Sequence, residues 1–144
     1  MKLVLQRVES ASVEVDKKII GKINKGILIL IGVSSTDDRL LVDKFVDKVS
    51  KLRIFEDNNN KTNLSIKDVE GEVLLVSQFT LYADCKKGNR PSFTESAPYH
   101  VAEDIYNYFI KVSKTKFKKV ECGEFGASMK ISLVNDGPFT LILE

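Results

Sequence analysis

The sequence predicts a mixed α/β fold in one domain that spans residues 1–144. About eight short strand-like runs and a pair of amphipathic helices follow from the apolar periodicity. Several strands precede the first helix and several follow the second, which favours mixed sheets with the helices on one side over a regular βαβ winding. A chain of 144 residues can bury a sizeable core but is too short for two comfortable domains.

The start of the chain is rich in predicted strands. Residues 2–9 and 11–15 are two of them, and a turn at residues 16–18 leads to a third at residues 19–23. Residues 26–33 are almost wholly apolar, a pattern typical of a strand that is covered on both faces. We therefore expect this strand in the middle of the sheet or between layers.

Two helices are predicted from helical spacing of apolar residues. The first is capped by Ser35 or Thr36, has Asp37 and Asp38 in its first turn, and runs to about residue 52. Its apolar face consists of Leu41, Phe45, Val49 and Leu52. The second begins near Pro98, and its apolar face consists of Val101, Ile105, Phe109 and Val112.

The remaining strands are short. Residues 53–55 form one that ends in a polar turn, and residues 73–76 are the uncharged, branched run typical of a buried central strand. Further strands are expected at residues 120–124, 129–134 and 139–143. The last two are separated by Asn, Asp, Gly and Pro, which normally mark a hairpin turn.

Composition and charge exclude several classes of protein. The chain is 43% apolar and 29% charged, and its net charge of +2 is too small for a strongly basic nucleic-acid binder. Its uncharged apolar runs are shorter than the roughly 18 residues of a membrane span. Early charges at Lys2 and Arg7 are unlike a signal peptide. We expect a cytoplasmic protein without membrane contact.

Metal ligands do not cluster in the sequence. Cys85 and Cys122 belong to no Cys-x-x-Cys or Cys/His pattern, and we interpret them as free thiols. His100, the single histidine, is expected to be a half-exposed residue where the second helix opens. We predict no metal and no cofactor, and nothing marks His100 as the base of a serine or cysteine nucleophile.

Basic residues form two clusters. Lys86, Lys87 and Arg90 lie in a loop at residues 83–96, whose length is typical of a functional loop. The other cluster consists of Lys111, Lys114, Lys116, Lys118 and Lys119. We interpret this second cluster as a solvated face. The loop cluster is the better candidate for phosphate contact.

The central strand at residues 73–76 ends in polar side chains. Ser77, Gln78 and Thr80 follow it, interleaved with Phe79 and Leu81. Polar groups at such a position are costly unless they find partners in the fold or in a ligand. The residues alone are equally compatible with a strand end bonded to neighbouring loops and with a ligand site.

Motifs along essentially the whole chain resemble the D-aminoacyl-tRNA deacylase (D-tyrosyl-tRNA(Tyr) deacylase) family. They are, in the family's order, LQRV at residues 5–8, SQFTL at 77–81, KKGNRPSF at 86–93, FGASM at 125–129 and NDGPFT at 135–140. The resemblance implies a three-layer β/β/α fold and a homodimer with the active site at the subunit interface. It also implies hydrolysis of the ester between a D-amino acid and the terminal adenosine of tRNA.

The resemblance assigns roles to residues in these motifs. Ser77, Gln78, Phe79 and Thr80 are the catalytic group, and we predict that the amide of Phe79 or Thr80 points at the ester carbonyl oxygen. Gly137 and Pro138 form a Gly-cis-Pro wall from the partner subunit that rejects L side chains by collision, and the cis state rests on the resemblance. The supporting or lining residues are Arg7 and Met129. Because their loop adjoins the presumed site, Lys86, Lys87 and Arg90 are the predicted tRNA-binding residues.

Two mechanisms remain open. Thr80 could be a nucleophile, but the sequence does not visibly provide its base. We favour the other, in which the 2′-hydroxyl of the tRNA helps to activate water and the protein positions and selects. Because a wall against L side chains cannot exclude a hydrogen, glycyl-tRNA should be cleaved too.

Two alternatives of a different kind stay in view. One is a non-catalytic RNA-binding module, in which the polar strand end completes a sheet edge and the basic loop binds phosphate. The other is a metal-dependent hydrolase, which the lack of a ligand cluster disfavours.

Overall fold

Eight strands, two α-helices and one short 3-10 helix make up the computed structural model, which describes residues 1–144. The strands are β1 (Lys2–Val15), β2 (Lys18–Ile23), β3 (Gly26–Gly32), β4 (Arg53–Glu56), β5 (Thr62–Ser65), β6 (Glu72–Ser77), β7 (Val120–Cys122) and β8 (Lys130–Leu143). The helices are α1 (Arg39–Lys51), α2 (Tyr99–Lys116) and the 3-10 helix Phe79–Tyr82. The predicted mixed α/β class is confirmed.

Six of the strands form one sheet in the order β2-β1-β3-β6-β7, and β8 pairs with the other side of β1. β1 is antiparallel to its three neighbours, whereas β3, β6 and β7 run parallel to one another. β4 and β5 form a separate antiparallel pair. The main sheet curls until β2 approaches β7, because a Cβ added at Gly21 would lie 3.3 Å from the carbonyl oxygen of Cys122. The sheet is therefore nearly closed.

Two apolar clusters define the layers. The first lies between the sheet and the helices, where Val46 of α1 and Phe109 of α2 meet residues of β3 and β6. The second lies inside the curl of the sheet and includes Val13, Leu28 and Leu74. Successive side chains of a strand point to opposite faces of the sheet, so β3 and β6 contribute side chains to both clusters. These two strands are therefore apolar along most of their length. This arrangement is the expected β/β/α layering.

Two predicted strand breaks are wrong. Residues 2–9 and 11–15 form one strand because Ser10 still pairs with Val134 across a register shift. Residues 129–134 and 139–143 likewise belong to one strand, β8. The segment between them is a bulge, since Gln6 pairs with Thr140 while Val8 pairs with Asn135.

The helices begin close to the predicted positions but differ in detail. Asp38 caps α1 by accepting the amide of Leu41 at 2.8 Å, so a cap at Ser35 or Thr36 is wrong. Asp37 instead accepts from the Met1 amino group and the Ser34 amide. The fully buried apolar residues of α1 are Val42, Val46 and Val49, largely one position beyond the predicted face. α2 begins directly after Pro98 and buries Ala102, Ile105, Tyr106, Phe109 and Ser113.

Two further features complete the fold. β5 has no counterpart in the prediction, because its sequence, Thr-Asn-Leu-Ser, lacks the apolar pattern of a strand. Neither helix combines the length and the hydropathy that a membrane crossing requires.

Candidate active site

A cavity of about 630 Å³ opens where the parallel strands β3 and β6 end. Ser77, Gln78 and Phe79 form one wall, as the sequence predicted for the end of the central strand. The segment after β7 forms a second wall with Phe125, Gly126, Ala127 and Met129. The loop before α2 and the start of that helix form a third with Phe93, Ser96, Ala97 and Tyr99. The cavity is therefore mostly apolar, with polar groups at the strand end.

The chain turns sharply after β6, and this turn leaves two amides free. Gln78 still donates its amide to the Ile31 carbonyl oxygen at 2.7 Å, after which the 3-10 helix begins at Phe79. The first N–H groups of a helix have no partner within it. The amides of Phe79 and Thr80 accordingly have no acceptor in the structure. Two adjacent donors thus stand beside the cavity.

The side chain of Thr80 is bonded to its neighbour rather than to a base. The Nε2 atom of Gln78 donates to the Oγ1 atom of Thr80 at 2.5 Å. No carboxylate or imidazole is hydrogen-bonded to this hydroxyl. Thr80 is exposed next to the cavity and is not part of its lining.

Tyr106 on α2 forms hydrogen bonds to the ends of β6 and β7. Its hydroxyl lies 2.9 Å from the Leu75 carbonyl oxygen and 3.2 Å from that of Gly123. Leu75 also accepts the Gly123 amide at 2.8 Å. Burial raises the pKa of Tyr106, so the phenol stays a neutral donor. This residue was missed in the sequence, although a tyrosine on a buried helix face usually signals a hydroxyl with a partner.

The segment at residues 135–139, which we call the bulge segment, is held by its own side chains. The Nδ2 atom of Asn135 donates to the carbonyl oxygens of Arg7 at 2.9 Å and Phe139 at 3.0 Å. Its Oδ1 atom accepts the Phe139 amide at 3.1 Å. Asn135 thereby joins the two ends of the bulge. From sequence alone, this asparagine was assigned to a turn and to the NDGPFT motif, without a role of its own.

Arg7 braces the bulge segment from β1. Its side chain is buried, and Nε donates to the Asp136 carbonyl oxygen at 3.0 Å and pairs with the Asp136 carboxylate at 3.1 Å. Nη1 donates to the Ile54 carbonyl oxygen at 2.7 Å. The guanidinium also lies 4.9 Å from the centre of the Phe139 ring. Arg7 does not line the cavity; it connects the bulge to β4.

Gly137 occupies a position that only glycine fits. Its φ of +136° is outside the range of ordinary L residues, and an added Cβ would lie 3.0 Å from the Phe139 nitrogen and 3.1 Å from Arg7 Nη2. The peptide bond to Pro138 is cis. Both residues are exposed, so the bulge presents main chain and a proline ring to the outside.

The bulge segment and the cavity of one chain do not meet. Neither Gly137 nor Pro138 lines the cavity. Ser77 pairs with Ile31, which pairs with Leu3, whereas the bulge lies beside Arg7, several residues further along β1 and on the far side of two strands. Strand spacing and residue rise place the two segments on the order of 20 Å apart.

The loop at residues 83–96 carries cations without ion-pair partners. Lys86, Lys87 and Arg90 are all exposed and take part in none of the ion pairs of the structure. Three lysines of the helix-end cluster do have partners: Lys116 pairs with Asp47, Lys118 with Glu70 and Lys119 with Glu72. The structure therefore favours the loop over the helix end as an anion-binding surface.

The cysteines and the histidine stand apart from the cavity wall. Cys85 is an exposed free thiol, and burial raises the pKa of Cys122, which is also free. His100 is exposed in the first turn of α2, whereas a half-exposed residue was expected. No group of three or more His, Cys, Asp or Glu side chains is placed to hold a metal ion.

An apolar cavity beside two amides without acceptors is the kind of site that a hydrolase of esters uses. Residues 4–144 match the model of the family described as D-Tyr-tRNA(Tyr) deacylase. A D-aminoacyl-tRNA deacylase of Thermosipho africanus is 52% identical over 144 residues, which cover all of this chain and 97% of that protein. One of Lactobacillus acidophilus is 51% identical, with 100% and 99% covered. The chain belongs to the D-Tyr-tRNA(Tyr) deacylase family.

Solved structures show the same fold. The structure of a c-Myc DNA Unwinding Element Binding Protein has a TM-score of 0.94 and 40% identity, and the match covers 100% of this chain and 98% of that one. A structure described as a probable eukaryotic D-amino acid tRNA deacylase has a TM-score of 0.87 over 99% of this chain and 97% of its own. Because that structure is only 17% identical, it supports the fold alone.

Proposed function

We propose that this protein hydrolyses the ester bond of D-aminoacyl-tRNA and releases the free D-amino acid and the tRNA. Family membership and the names of relatives at about half identity support this substrate. One observation carries the proposal: the amides of Phe79 and Thr80 stand without acceptors beside an apolar cavity. We propose the cytoplasm as the place of action, since tRNA is charged there.

The proposed reaction does not require a side chain as the nucleophile. An aminoacyl ester is more reactive than an amide, and one good oxyanion donor contributes about 3 kcal/mol to the transition state. Water adds to the carbonyl carbon, the negative charge on the carbonyl oxygen falls between the two free amides, and the bond to the ribose oxygen breaks. The water proton leaves with that ribose oxygen. Thr80 has no hydrogen-bonded base and is therefore a poor nucleophile, so the attacking group in this proposal is water. The 2′-hydroxyl of the tRNA helps to activate that water.

Selection between stereoisomers is the role we propose for Gly137 and Pro138. Inverting Cα exchanges the hydrogen and the side chain, so a rigid wall on the L side rejects the L ester and tolerates many D side chains. Rigidity is supplied by Asn135 and Arg7, which hold the bulge from both sides. A wall against side chains admits glycine, and glycyl-tRNA is therefore a second substrate.

The wall must come from a second copy of the chain, because one copy holds the bulge and the cavity apart. β8 pairs only with β1, so its other edge is open, and Ile142 on this strand is 67% exposed. An open apolar edge of this length is a surface that proteins normally cover. We propose a homodimer through β8 with the active site at the interface. Lys86, Lys87 and Arg90 then contact tRNA phosphates.

The test is a deacylation assay with D-tyrosyl-tRNA, L-tyrosyl-tRNA and glycyl-tRNA. We expect loss of the ester from the D-tyrosyl and glycyl substrates and survival of the L-tyrosyl ester. Refusal of glycyl-tRNA alongside cleavage of D-tyrosyl-tRNA would contradict selection by exclusion. Cleavage of both tyrosyl esters at one rate would contradict the wall altogether.

A second candidate is nucleic-acid binding without turnover. The unpaired cations of the loop favour it, as does the similarity to the c-Myc DNA Unwinding Element Binding Protein, which is 40% identical to this chain. This candidate predicts that all three esters decay as they do in buffer. The same assay therefore separates the two functions.

A further inference from the structure

Phe79 and Phe93 form an aromatic pair at the cavity that core packing does not explain. Their ring centres are 5.0 Å apart at an interplanar angle of 66°, and the rings are 56% and 37% exposed. Neither residue belongs to the two apolar clusters of the core. Exposed aromatic area is unfavourable in water. Two such rings side by side therefore indicate a surface that a partner covers.

Backbone bonds hold Phe93 in place. Asp84 and Ser92 exchange amide-to-carbonyl hydrogen bonds of 2.7 and 3.0 Å, and the Ser96 amide donates to the Phe93 carbonyl oxygen at 3.1 Å. Phe79 is fixed as the first residue of the 3-10 helix. The pair is thus presented in one arrangement, while the basic tip of the loop lies outside these bonds.

The pair keeps faces available for stacking. An edge-to-face contact uses the edge of one ring and one face of the other, so each ring retains at least one face that the pair does not cover. Both rings also line the cavity. A planar group just outside the cavity mouth can therefore lie against them.

The charges nearby specify the chemistry of that group. Lys86, Lys87 and Arg90 belong to the same loop as Phe93 and have no carboxylate partner. Unpaired cations beside exposed aromatic rings are the combination that binds single-stranded nucleic acid, with phosphates on the cations and bases on the rings. Asp84 and Glu95 lie in the same loop but form no ion pair with these cations, so the cations are available to phosphates.

We infer that the Phe79–Phe93 pair stacks the base of the nucleotide that precedes the aminoacylated terminal adenosine. This inference rests on the proposed function, because it takes the terminal nucleoside ester as the occupant of the cavity. The preceding nucleotide then leaves the cavity past the two rings. Its phosphates run toward the basic tip of the loop.

The experiment compares two substrates, D-tyrosyl-tRNA and the D-tyrosyl ester of adenosine alone, for wild type and Phe93→Leu. Leucine keeps an apolar side chain but has no π face. Stacking is worth about 1–3 kcal/mol per base, which converts to a rise in KM for the tRNA of about 5- to 150-fold. Because Phe93 also lines the cavity, the diagnostic result is the difference between the substrates: the loss of kcat/KM on the tRNA should exceed the loss on the adenosine ester by at least about fivefold.

Two variants serve as controls. Phe93→Tyr keeps the ring and should restore the wild-type KM for tRNA. Leu40→Ala removes an exposed apolar side chain on α1, away from the cavity, and should leave the kinetics on both substrates at wild-type values. Light scattering on each variant verifies that its mass equals that of the wild type.

Several outcomes would overturn the inference. An equal loss on both substrates would show that Phe93 acts only on the terminal nucleoside in the cavity, and no loss on either would remove the stacking role. A changed mass of Phe93→Leu would make the pair a subunit contact. The affinity for the uncharged trinucleotide CCA can be measured without turnover. Equal affinities of wild type and Phe93→Leu would contradict stacking on the Phe79–Phe93 pair. If wild type cleaves neither ester but binds CCA more tightly than Phe93→Leu does, the proposed function is wrong and base stacking on the Phe79–Phe93 pair is retained.

Discussion

At the scale of one residue, Thr80 distinguishes attack by its own hydroxyl from attack by a water that the 2′-hydroxyl of the tRNA activates. Thr80→Val removes the hydroxyl and keeps the branched shape. Because the hydroxyl has no base, we expect single-turnover rates on D-tyrosyl-tRNA within about tenfold of wild type, whereas loss of a true nucleophile costs several orders of magnitude. A fall to the uncatalysed rate, with tRNA affinity retained, would restore Thr80 as the nucleophile.

Arg7 makes a second prediction at this scale, because one side chain holds the bulge in three ways. Arg7→Lys keeps the charge but cannot reach the carbonyl oxygens of Asp136 and Ile54 with fixed, separate donors. Leaving a buried acceptor unsatisfied costs about 1–3 kcal/mol, so we expect the free energy of unfolding in urea to fall by that amount. A looser bulge should also raise kcat/KM for L-tyrosyl-tRNA relative to the D ester.

The matched control for Arg7 is Arg39→Lys. Arg39 is exposed, pairs with Asp104 and lies 5.0 Å from the centre of the Tyr108 ring. Exposed contacts of these kinds contribute less than about 1 kcal/mol each, so its replacement should change stability less than Arg7→Lys does and should leave selectivity unaltered. If Arg7→Lys behaves like Arg39→Lys in both measurements, the bulge does not depend on this brace.

At the scale of elements, α2 sets the relative position of the two strand ends that carry the cavity walls. Tyr106 reaches the carbonyl oxygens of Leu75 and Gly123, the last points before β6 and β7 separate. The backbone bond from Gly123 to Leu75 joins the strand ends to each other but leaves α2 free to shift. The tyrosine hydroxyl therefore ties the polar strand end to a helix that follows it in the chain.

This contact predicts a dependence of stability on pH. The pKa of Tyr106 is raised from its ordinary value of 10.0, chiefly by burial, so the native state keeps the phenol proton after the unfolded chain has lost it. Its contribution is complete below about pH 10 and falls as the pH rises further. Urea unfolding between about pH 8 and 11 should show a shallower alkaline loss for Tyr106→Phe than for wild type. Equal slopes would contradict this account.

At the scale of the whole molecule, the proposal to test is that a second copy of the chain completes the active site. Ile142→Lys places a charge on the open side of β8, and Leu40→Lys places one on an equally exposed position of α1, since the two side chains are 67% and 69% exposed. We expect light scattering to give about 32 kDa, twice the chain mass of 16.2 kDa, for wild type and Leu40→Lys. Ile142→Lys should give the mass of one chain and lose its discrimination against the L-tyrosyl ester. A wild-type mass of 16.2 kDa would contradict the dimer.

Much of the fold was accessible from local pattern. The apolar runs of β3 and β6 predicted central strands because a strand covered on both faces has no polar positions. Pro98 correctly marked the start of α2. The polar residues after β6 and the motif at residues 135–140 pointed to the two segments that carry the proposed chemistry and selection, through resemblance to a family rather than through periodicity.

Other features depend on contacts between distant parts of the chain. The sequence suggested a hairpin at residues 135–138, but pairing of both flanks with β1 makes one strand with a bulge. Arg7 was expected to support or line the pocket, and the fold uses it to join the bulge to β4. The particular partners of the Tyr106 hydroxyl, and the distance between the bulge and the cavity of the same chain, had no signal in local pattern.

The sequence by itself thus determined which segments are buried, which are polar at a strand end, and to which family they belong. Only the tertiary structure decided which of these segments share a site. The physical reason is that side chains on the buried face of a strand or a helix recur every two or 3.6 residues, which is visible in the local sequence. Strand register, in contrast, is set by pairing partners far away in the chain. Here that register keeps the cavity and the bulge segment of one chain apart.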